Sequence, residues 1–246
     1  MTFLSQLCAK TGADVSEVGR AIGIASRIGP KFLGASVGFG GSCFQKDILN
    51  LVYICESEGL ADVAKYWQSV VDMNEHQKMA FTSNIISRLF NTVTNKKIAV
   101  FGFAFKKDTG DVRETPAITV CHMLQQDGAI VHVYDPKVKK EDAMTEFKYH
   151  NMVMDEKKLI FESSAMAAAD GAHAIVVLTE WDEFKTLPYK DFYSKMMKPA
   201  FIFDGRGILP HAELENLGFE VHVIGKGRGA DNKLLILPAN KIRVAE

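Results

Sequence analysis

The sequence predicts an α/β protein in two parts: an all-helical central unit ending in one long spine helix, then a doubly wound parallel sheet of Rossmann-like type. Three observations predict it. Leu60, Val63, Ala64, Trp67, Val70, Val71, Phe81, Ile85 and Leu89 recur at three- and four-residue spacing, the pattern of a helix with one apolar face. Neither glycine nor proline interrupts the chain between Gly59 and Asn91. Beyond Lys97, short apolar runs alternate with helical segments, and such alternation means parallel strands covered on both faces.

Taken in order, the elements have local causes. A glycine-rich loop, Ser36-Val37-Gly38-Phe39-Gly40-Gly41, runs into Ser42. Ser42 and Gln45 are spaced as a capping box, which predicts a helix start at Cys43, and Ile48, Leu51, Val52 and Cys55 continue its apolar pattern. The spine from Leu60 to about Asn91 is roughly 45 Å long at 1.5 Å rise per residue. That length suits a link between domains or a surface packed on a second copy; two shorter helices are the alternative. After the polar connector 91–95, residues 97–103 form a short apolar run, read as a buried strand. Thr115 is a good N-cap, Pro116 suits the first helical position and Gly128 is a natural stop. Residues 129–134 give a second strand, closed by Asp135-Pro136. Further strands are predicted at 173–178, 200–203 and 220–224, with helical segments around 163–170 and 189–197. The domains implied are 1–91, helical and dimerising, and 92–230, the α/β unit, with 231–246 as a tail.

Composition narrows the function classes. With 47% hydrophobic residues and a net charge of −1, disorder is not the dominant state. Lys+Arg 29 against Asp+Glu 30 provides no global basic field for nucleic acid. No run approaches the ~18 apolar residues of a membrane span, and the first residues lack signal-peptide regions. Four scattered cysteines suggest neither a disulfide framework nor a metal site. The expectation is a cytoplasmic protein with no metal, no nucleic-acid partner and no membrane partner.

In a doubly wound sheet, ligands sit at the C-terminal ends of the strands. The first predicted strand leads into Phe105, Lys106 and Arg113, and the fourth into Asp204-Gly205-Arg206. Lys106, Arg113 and Arg206 thus share one sheet edge. Converging cations suit an anionic ligand such as pyrophosphate; a solvated rim paired with Asp108 and Asp111 is the other reading. Gly225-Lys226-Gly227-Arg228-Gly229-Ala230 nearly spells a dinucleotide fingerprint, but it follows the last strand and opens no helix, so it is a decoy. Gly102-Phe103-Ala104 lacks the later glycines of that fingerprint.

Cys43 is the sharpest local feature. A thiol in the first turn of a helix meets free N–H groups and the positive end of the helix dipole, and both favour thiolate. Asp47 lies one turn on, on the same face. Its charge opposes thiolate formation, which casts it as a handler of water or protons. Cys8, Cys55 and Cys121 sit in amphipathic patterns as core. Inert burial remains the other reading of Cys43.

Three motifs then carry a resemblance. Residues 38–47, GFGGSCFQKD, residues 103–114, FAFKKDTGDVRE, and residues 201–206, FIFDGR, closely resemble the UDP-glucose 6-dehydrogenase family, as does Glu180-Trp181-Asp182-Glu183-Phe184. The resemblance covers the family's central and C-terminal UDP-binding domains; the N-terminal NAD-binding domain is absent from it. It implies NAD-dependent, four-electron oxidation of UDP-glucose to UDP-glucuronate. A cysteine matching Cys43 forms a thiohemiacetal and then a thioester, and an aspartate matching Asp47 assists hydrolysis. The resemblance further implies that Phe105, Lys106 and Arg206 contact substrate, while Gly34, Ala35, Ser36, Val37, Gly38, Phe39 and Gly40 wrap it. Arg27 reaches a neighbouring subunit's substrate, Arg113 touches NAD, and Cys43, Phe44, Gln45 and Lys46 border the nicotinamide. Gly34 stands where many relatives carry lysine. The spine resembles the family's dimer-forming helix, so a homodimer, or a higher homo-oligomer, is expected. The chain alone is expected to be inactive. Two alternatives remain: a dehydrogenase of a UDP-N-acetylhexosamine or GDP-mannose, and a non-catalytic nucleotide-sugar-binding or oligomerisation module.

Overall fold

The computed structural model describes residues 1–227; the tail at 231–246 and the end of the 225–230 glycine run lie outside the described residues. Four helices come first: α1 (Thr2–Thr11), α2 (Val15–Gly23), α3 (Phe44–Ser57) and α4 (Ala61–Arg88). The spine is one unbroken helix of 28 residues, about 42 Å long, so the two-helix alternative falls. Its N-terminal half packs on α3 around Val52, Cys55 and Ala64. Its C-terminal half sends Phe81, Ile85 and Leu89 into the main core under the sheet, where Val37 of the glycine loop joins them. One helix thus serves both packing units, and the glycine loop is pinned where they meet.

The sheet has six strands: β1 (Lys97–Phe101), β2 (Ile130–Tyr134), β3 (Leu159–Phe161), β4 (Ala174–Val177), β5 (Phe201–Asp204) and β6 (Glu220–Val223). Their spatial order is 3-2-1-4-5-6 and every neighbouring pair is parallel. Strand order reverses between β1 and β4, which opens a crevice beyond their C-terminal ends. The central strands read as continuous apolar runs because both faces are covered. Helices α5 (Pro116–Gln126), α6 (Lys140–Tyr149), α7 (Ala165–Ala169), α8 (Tyr189–Lys195) and α9 (His211–Leu217) link them, with a short 3-10 helix at Asp182–Lys185. Thr115 caps α5 as predicted, its Oγ1 accepting from Ala117 N at 3.3 Å, and Gly128 turns the chain after it at φ +88.

Sequence reading missed β3, α6 and α9, so Arg206 follows the fifth strand, not the fourth. β3 has only three residues, too few for an apolar run to declare itself. α6 buries only Ala143, Glu146 and Phe147, a stripe too narrow for clear periodicity. The predicted capping box does not form either. The helix begins at Phe44 with Cys43 as the cap residue, and no side chain caps it. Ser42 Oγ turns instead toward Cys43 Sγ, 3.7 Å away. Gln45 Oε1 is buried without a hydrogen-bond partner.

The described part of the glycine decoy has a structural role. Val15 N donates to Gly225 O at 2.9 Å, and Gly227 N donates to Ala13 O at 3.2 Å. A Cβ on Gly225 would lie 2.4 Å from Val15 Cγ1, so only glycine lets the segment after β6 close on the helical unit.

Candidate active site

The glycine loop lies across the C-terminal edge of the sheet, and its glycines are the contact points. A Cβ on Gly40 would lie 2.3 Å from Glu114 O, one on Gly41 2.8 Å from the Phe105 ring, and one on Gly205 2.4 Å from Val37 Cγ2. Gly41 N donates to Arg113 O at 2.8 Å. These contacts bring the Cys43 loop against both cation-bearing segments, 105–113 after β1 and 205–206 after β5. From the helical side, Asn74 of α4 takes both backbone groups of Phe39: Oδ1 accepts from Phe39 N at 2.8 Å and Nδ2 donates to Phe39 O at 3.1 Å. Gln77 Nε2 reaches Ser36 O at 3.3 Å.

The three predicted cations fare differently. Arg206 is largely buried and ion-paired with Glu180, Nη2 to Oε2 at 2.5 Å. Burial pushes its guanidinium below the ordinary arginine range, and the charges of Glu180 and Asp204 oppose that shift. Its loop is set by Asp204, which is fully buried and accepts from Arg206 N, Gly207 N, Leu209 N and His211 Nε2 at 2.8–3.0 Å. Lys106 is exposed, lies 5.6 Å from the centre of the Phe105 ring, and forms no ion pair with a described residue. Arg113 is also exposed, but Asp111 holds it at 2.7 Å, so part of the paired-rim reading holds there. That hydrogen bond raises the Arg113 guanidinium above its usual range, with a further contribution from the Cys43 charge. Arg113 and Cys43 are therefore electrostatic neighbours.

Cys43 is the exposed cysteine among four free ones; Cys8, Cys55 and Cys121 are buried. Asp47 N donates to Cys43 O at 3.0 Å, one helical turn on, and its carboxylate is exposed beside Lys46 at 4.0 Å. Phe44 is exposed and meets the Phe39 ring edge-on at 6.2 Å. Arg27 lies exposed in the turn after α2 without an ion pair to a described residue. Gly34 is exposed, with nothing within 4 Å of where its Cβ would be.

The sheet has the strand order of a dinucleotide binder, yet its residues do not fit the adenosine half of NAD. Asp135 closes β2, where such a sheet keeps its ribose-binding carboxylate. Its Oδ2 accepts from Phe103 N at 2.7 Å, Ala104 N at 3.0 Å and Trp181 Nε1 at 3.1 Å. Its Oδ1 accepts from Lys137 N and Val138 N at 2.9 and 3.0 Å. The carboxylate is consumed by its own chain, and buried Phe103 occupies the turn that a fingerprint glycine would open.

Asn74, Gln77, Asp204, Asp135 and Glu180 went unrecognised as site residues in the sequence. One signal was available for the first two. The apolar stripe of the spine lapses between Val71 and Phe81, and buried Asn74, Gln77 and Lys78 stand on the face it would occupy.

Comparison with known proteins shows what the chain is similar to. The model of the UDP-glucose/GDP-mannose dehydrogenase family, UDP binding domain, matches residues 99–211, and that of the same family's central domain matches residues 1–76. A Drosophila melanogaster UDP-glucose 6-dehydrogenase is 56% identical over 227 residues, covering 91% of this chain and 48% of that protein. A Mus musculus UDP-glucose 6-dehydrogenase is 54% identical over 228 residues, covering 91% and 46%. The solved structure of a UDP-glucose dehydrogenase from Pyrobaculum islandicum superposes with a TM-score of 0.75 at 26% identity, covering 92% of this chain and 48% of that one. The chain spans about half the length of these relatives.

Proposed function

The chain belongs to the UDP-glucose/GDP-mannose dehydrogenase family, and from that membership we propose that it is the central and UDP-sugar-binding portion of an NAD-dependent UDP-glucose 6-dehydrogenase. The observation that carries the proposal is Arg206. Its largely buried guanidinium stands at the crevice with Glu180 as its ion-pair partner, and a guanidinium is the planar cation that matches a diphosphate in a bidentate fork. Four relatives at 54–56% identity carry the name UDP-glucose 6-dehydrogenase, which supports UDP-glucose over other nucleotide sugars.

In this reading Lys106 and Arg206 bind the anionic part of UDP-glucose, with Phe105 alongside, and loop 34–40 wraps the sugar nucleotide. NAD, when bound, takes up hydride in each of two oxidations; Phe44, Gln45, Lys46 and Arg113 would border its nicotinamide end. Cys43 Sγ adds to the C6 aldehyde carbon while the carbonyl oxygen gains a proton, giving a thiohemiacetal. An aldehyde has no hydride-bearing carbinol until such a nucleophile adds, which is why covalent catalysis is needed. At the thioester stage water attacks the acyl carbon, the C–S bond breaks, and the Cys43 thiol and the sugar carboxylate are released; Asp47 takes the proton from that water. Because this sheet does not fit the adenosine half of NAD, the chain by itself turns over no substrate.

The division into a helical unit at 1–91 and an α/β unit at 92–230 belongs to the same proposal, as does a homodimer through the long central helix α4. Exposed Val63 and Tyr66 on that helix, Leu60 at its start, and Tyr53 and Ile54 on the neighbouring α3 support it, since large exposed apolar patches mark association surfaces. Arg27 would then serve the partner's substrate. Calorimetric titration with UDP-glucose tests the site: the chain binds and Arg206→Ala loses binding. Binding untouched by that substitution, or no binding by the parent chain, overturns the assignment.

A further inference from the structure

Glu180 follows β4 and faces Arg206, which follows β5. Arg206 Nη2 lies 2.5 Å from Glu180 Oε2, with 19% and 25% of the two side chains exposed. Yet Oε2 is buried without a hydrogen-bond partner. The two form a close ion pair, and no further described residue donates a hydrogen bond to Oε2 to fix the carboxylate in place.

The neighbouring carboxylates differ. Asp204, whose charge Arg206 also feels, is consumed by three backbone N–H groups and His211. Asp111 is held by Arg113. Lys107, which feels the charge of Glu180, is held by Asp182 at 2.5 Å. Glu180 is thus the carboxylate at Arg206 whose capacity is not spent on fixed hydrogen bonds.

We infer that Glu180 is a resident counter-ion of Arg206 that competes with the ligand's diphosphate and keeps affinity for nucleoside diphosphates below what Arg206 alone would give. The inference rests on reading the crevice as a UDP-sugar site. Two effects combine. In the free site Glu180 neutralises a largely buried cation, and removing such a charge leaves the partner uncompensated, so the unliganded state is stabilised. In the bound state the carboxylate must withdraw from the phosphates or repel them. Substrate and product share the UDP moiety, so tightness there is uniform binding that does not speed the chemical step; a competing carboxylate limits it.

The test is calorimetric titration of the chain and its Glu180→Gln variant with UDP, and with uridine, which lacks phosphate. Glu180→Gln is expected to bind UDP roughly tenfold more tightly, toward the water-screened end of what one close like-charge contact costs, and uridine unchanged. Glu180→Ala gives the same gain for UDP if Gln perturbs the fold, with thermal melting as the control. UDP binding that is unchanged or weaker in both variants overturns the inference and leaves the UDP-sugar site standing. An equal gain for uridine also overturns it, because Glu180 would then act on base or ribose. If neither parent nor variants bind UDP, the reading of the crevice fails, and this inference with it.

Discussion

Asn74 holds Phe39 by both backbone groups, accepting from its N–H at 2.8 Å and donating to its C=O at 3.1 Å. A strand neighbour would offer the same pair of contacts, here supplied by one amide on the spine helix. Gly38 makes the approach possible, since a Cβ there would lie 2.9 Å from Asn74 Oδ1. Asn74→Ala removes two hydrogen bonds at a site 1% exposed and strands two backbone groups, a loss of about 2 kcal/mol. Urea unfolding should show a lower midpoint with unchanged slope. Asn74→Asp keeps the acceptor but sets a carboxylate against Phe39 O, so it should cost at least as much. A midpoint unmoved by either change would mean the loop is held by other contacts.

The glycines of the loop should divide by environment rather than by position in the motif. Gly34 has open space around it, so Gly34→Ala should shift stability by less than about 0.5 kcal/mol. Gly40 has Glu114 O 2.3 Å from the Cβ position, a backbone atom that moves only with its turn. Gly40→Ala should cost about 1–3 kcal/mol and weaken UDP-glucose binding by displacing the loop. Equal melting temperatures for the two variants would contradict this placement of the loop.

Much of this was legible in the sequence where a single segment carried the signal. The spine, the strands at 97, 130, 174, 201 and 220, the Thr115 cap and the burial of Cys8, Cys55 and Cys121 all follow from local pattern. The cationic edge was legible too, because strand ends converge in a doubly wound sheet. What was missed depends on partners distant in sequence. Whether Asp135 binds a ribose or its own loop is decided by Phe103 and Trp181, 32 and 46 residues away. Glu180 meets Arg206 only once β4 and β5 are paired. The capping box failed for a related reason: Gly41 is tied to Arg113 and packed on Phe105, and Ser42 is left facing Cys43 rather than the helix N–H groups.

Burial lowers the proton affinity of three histidines, His122, His132 and His173, with desolvation the largest cause in each. The sign follows by linkage. Near pH 6.5 and below, the unfolded chain binds protons that the folded chain still refuses, so ν_U exceeds ν_N and stability rises with pH. Acidification from pH 7.5 through 6.5 should therefore lower the urea midpoint. Asp182, held down to about 2 by Lys107 and Lys185, adds a loss in the same direction only below its unfolded value of 3.8, and its exposure keeps that loss small. A midpoint that is flat or rises on acidification through this window would show that the histidines are solvated.

Cys43 should react with iodoacetamide well before the other thiols, because Cys8, Cys55 and Cys121 are 3%, 6% and 0% exposed and burial pushes the Cys121 thiol far up. Exposure alone predicts that order, so it does not test activation. Two charge changes do. Arg113 O accepts from Gly41 N two residues before Cys43, and a nearby cation favours thiolate over thiol, so Arg113→Gln should slow Cys43 alkylation at pH 7. Asp47, one turn along α3, repels a thiolate, so Asp47→Asn should speed it modestly. Both shifts should shrink as salt rises, because the groups are exposed and screened. Opposite shifts that fade with salt place Cys43 in a field set by these two residues. Equal rates in all three proteins, read by mass spectrometry of the Cys43 peptide, would leave the thiol exposed but unassisted.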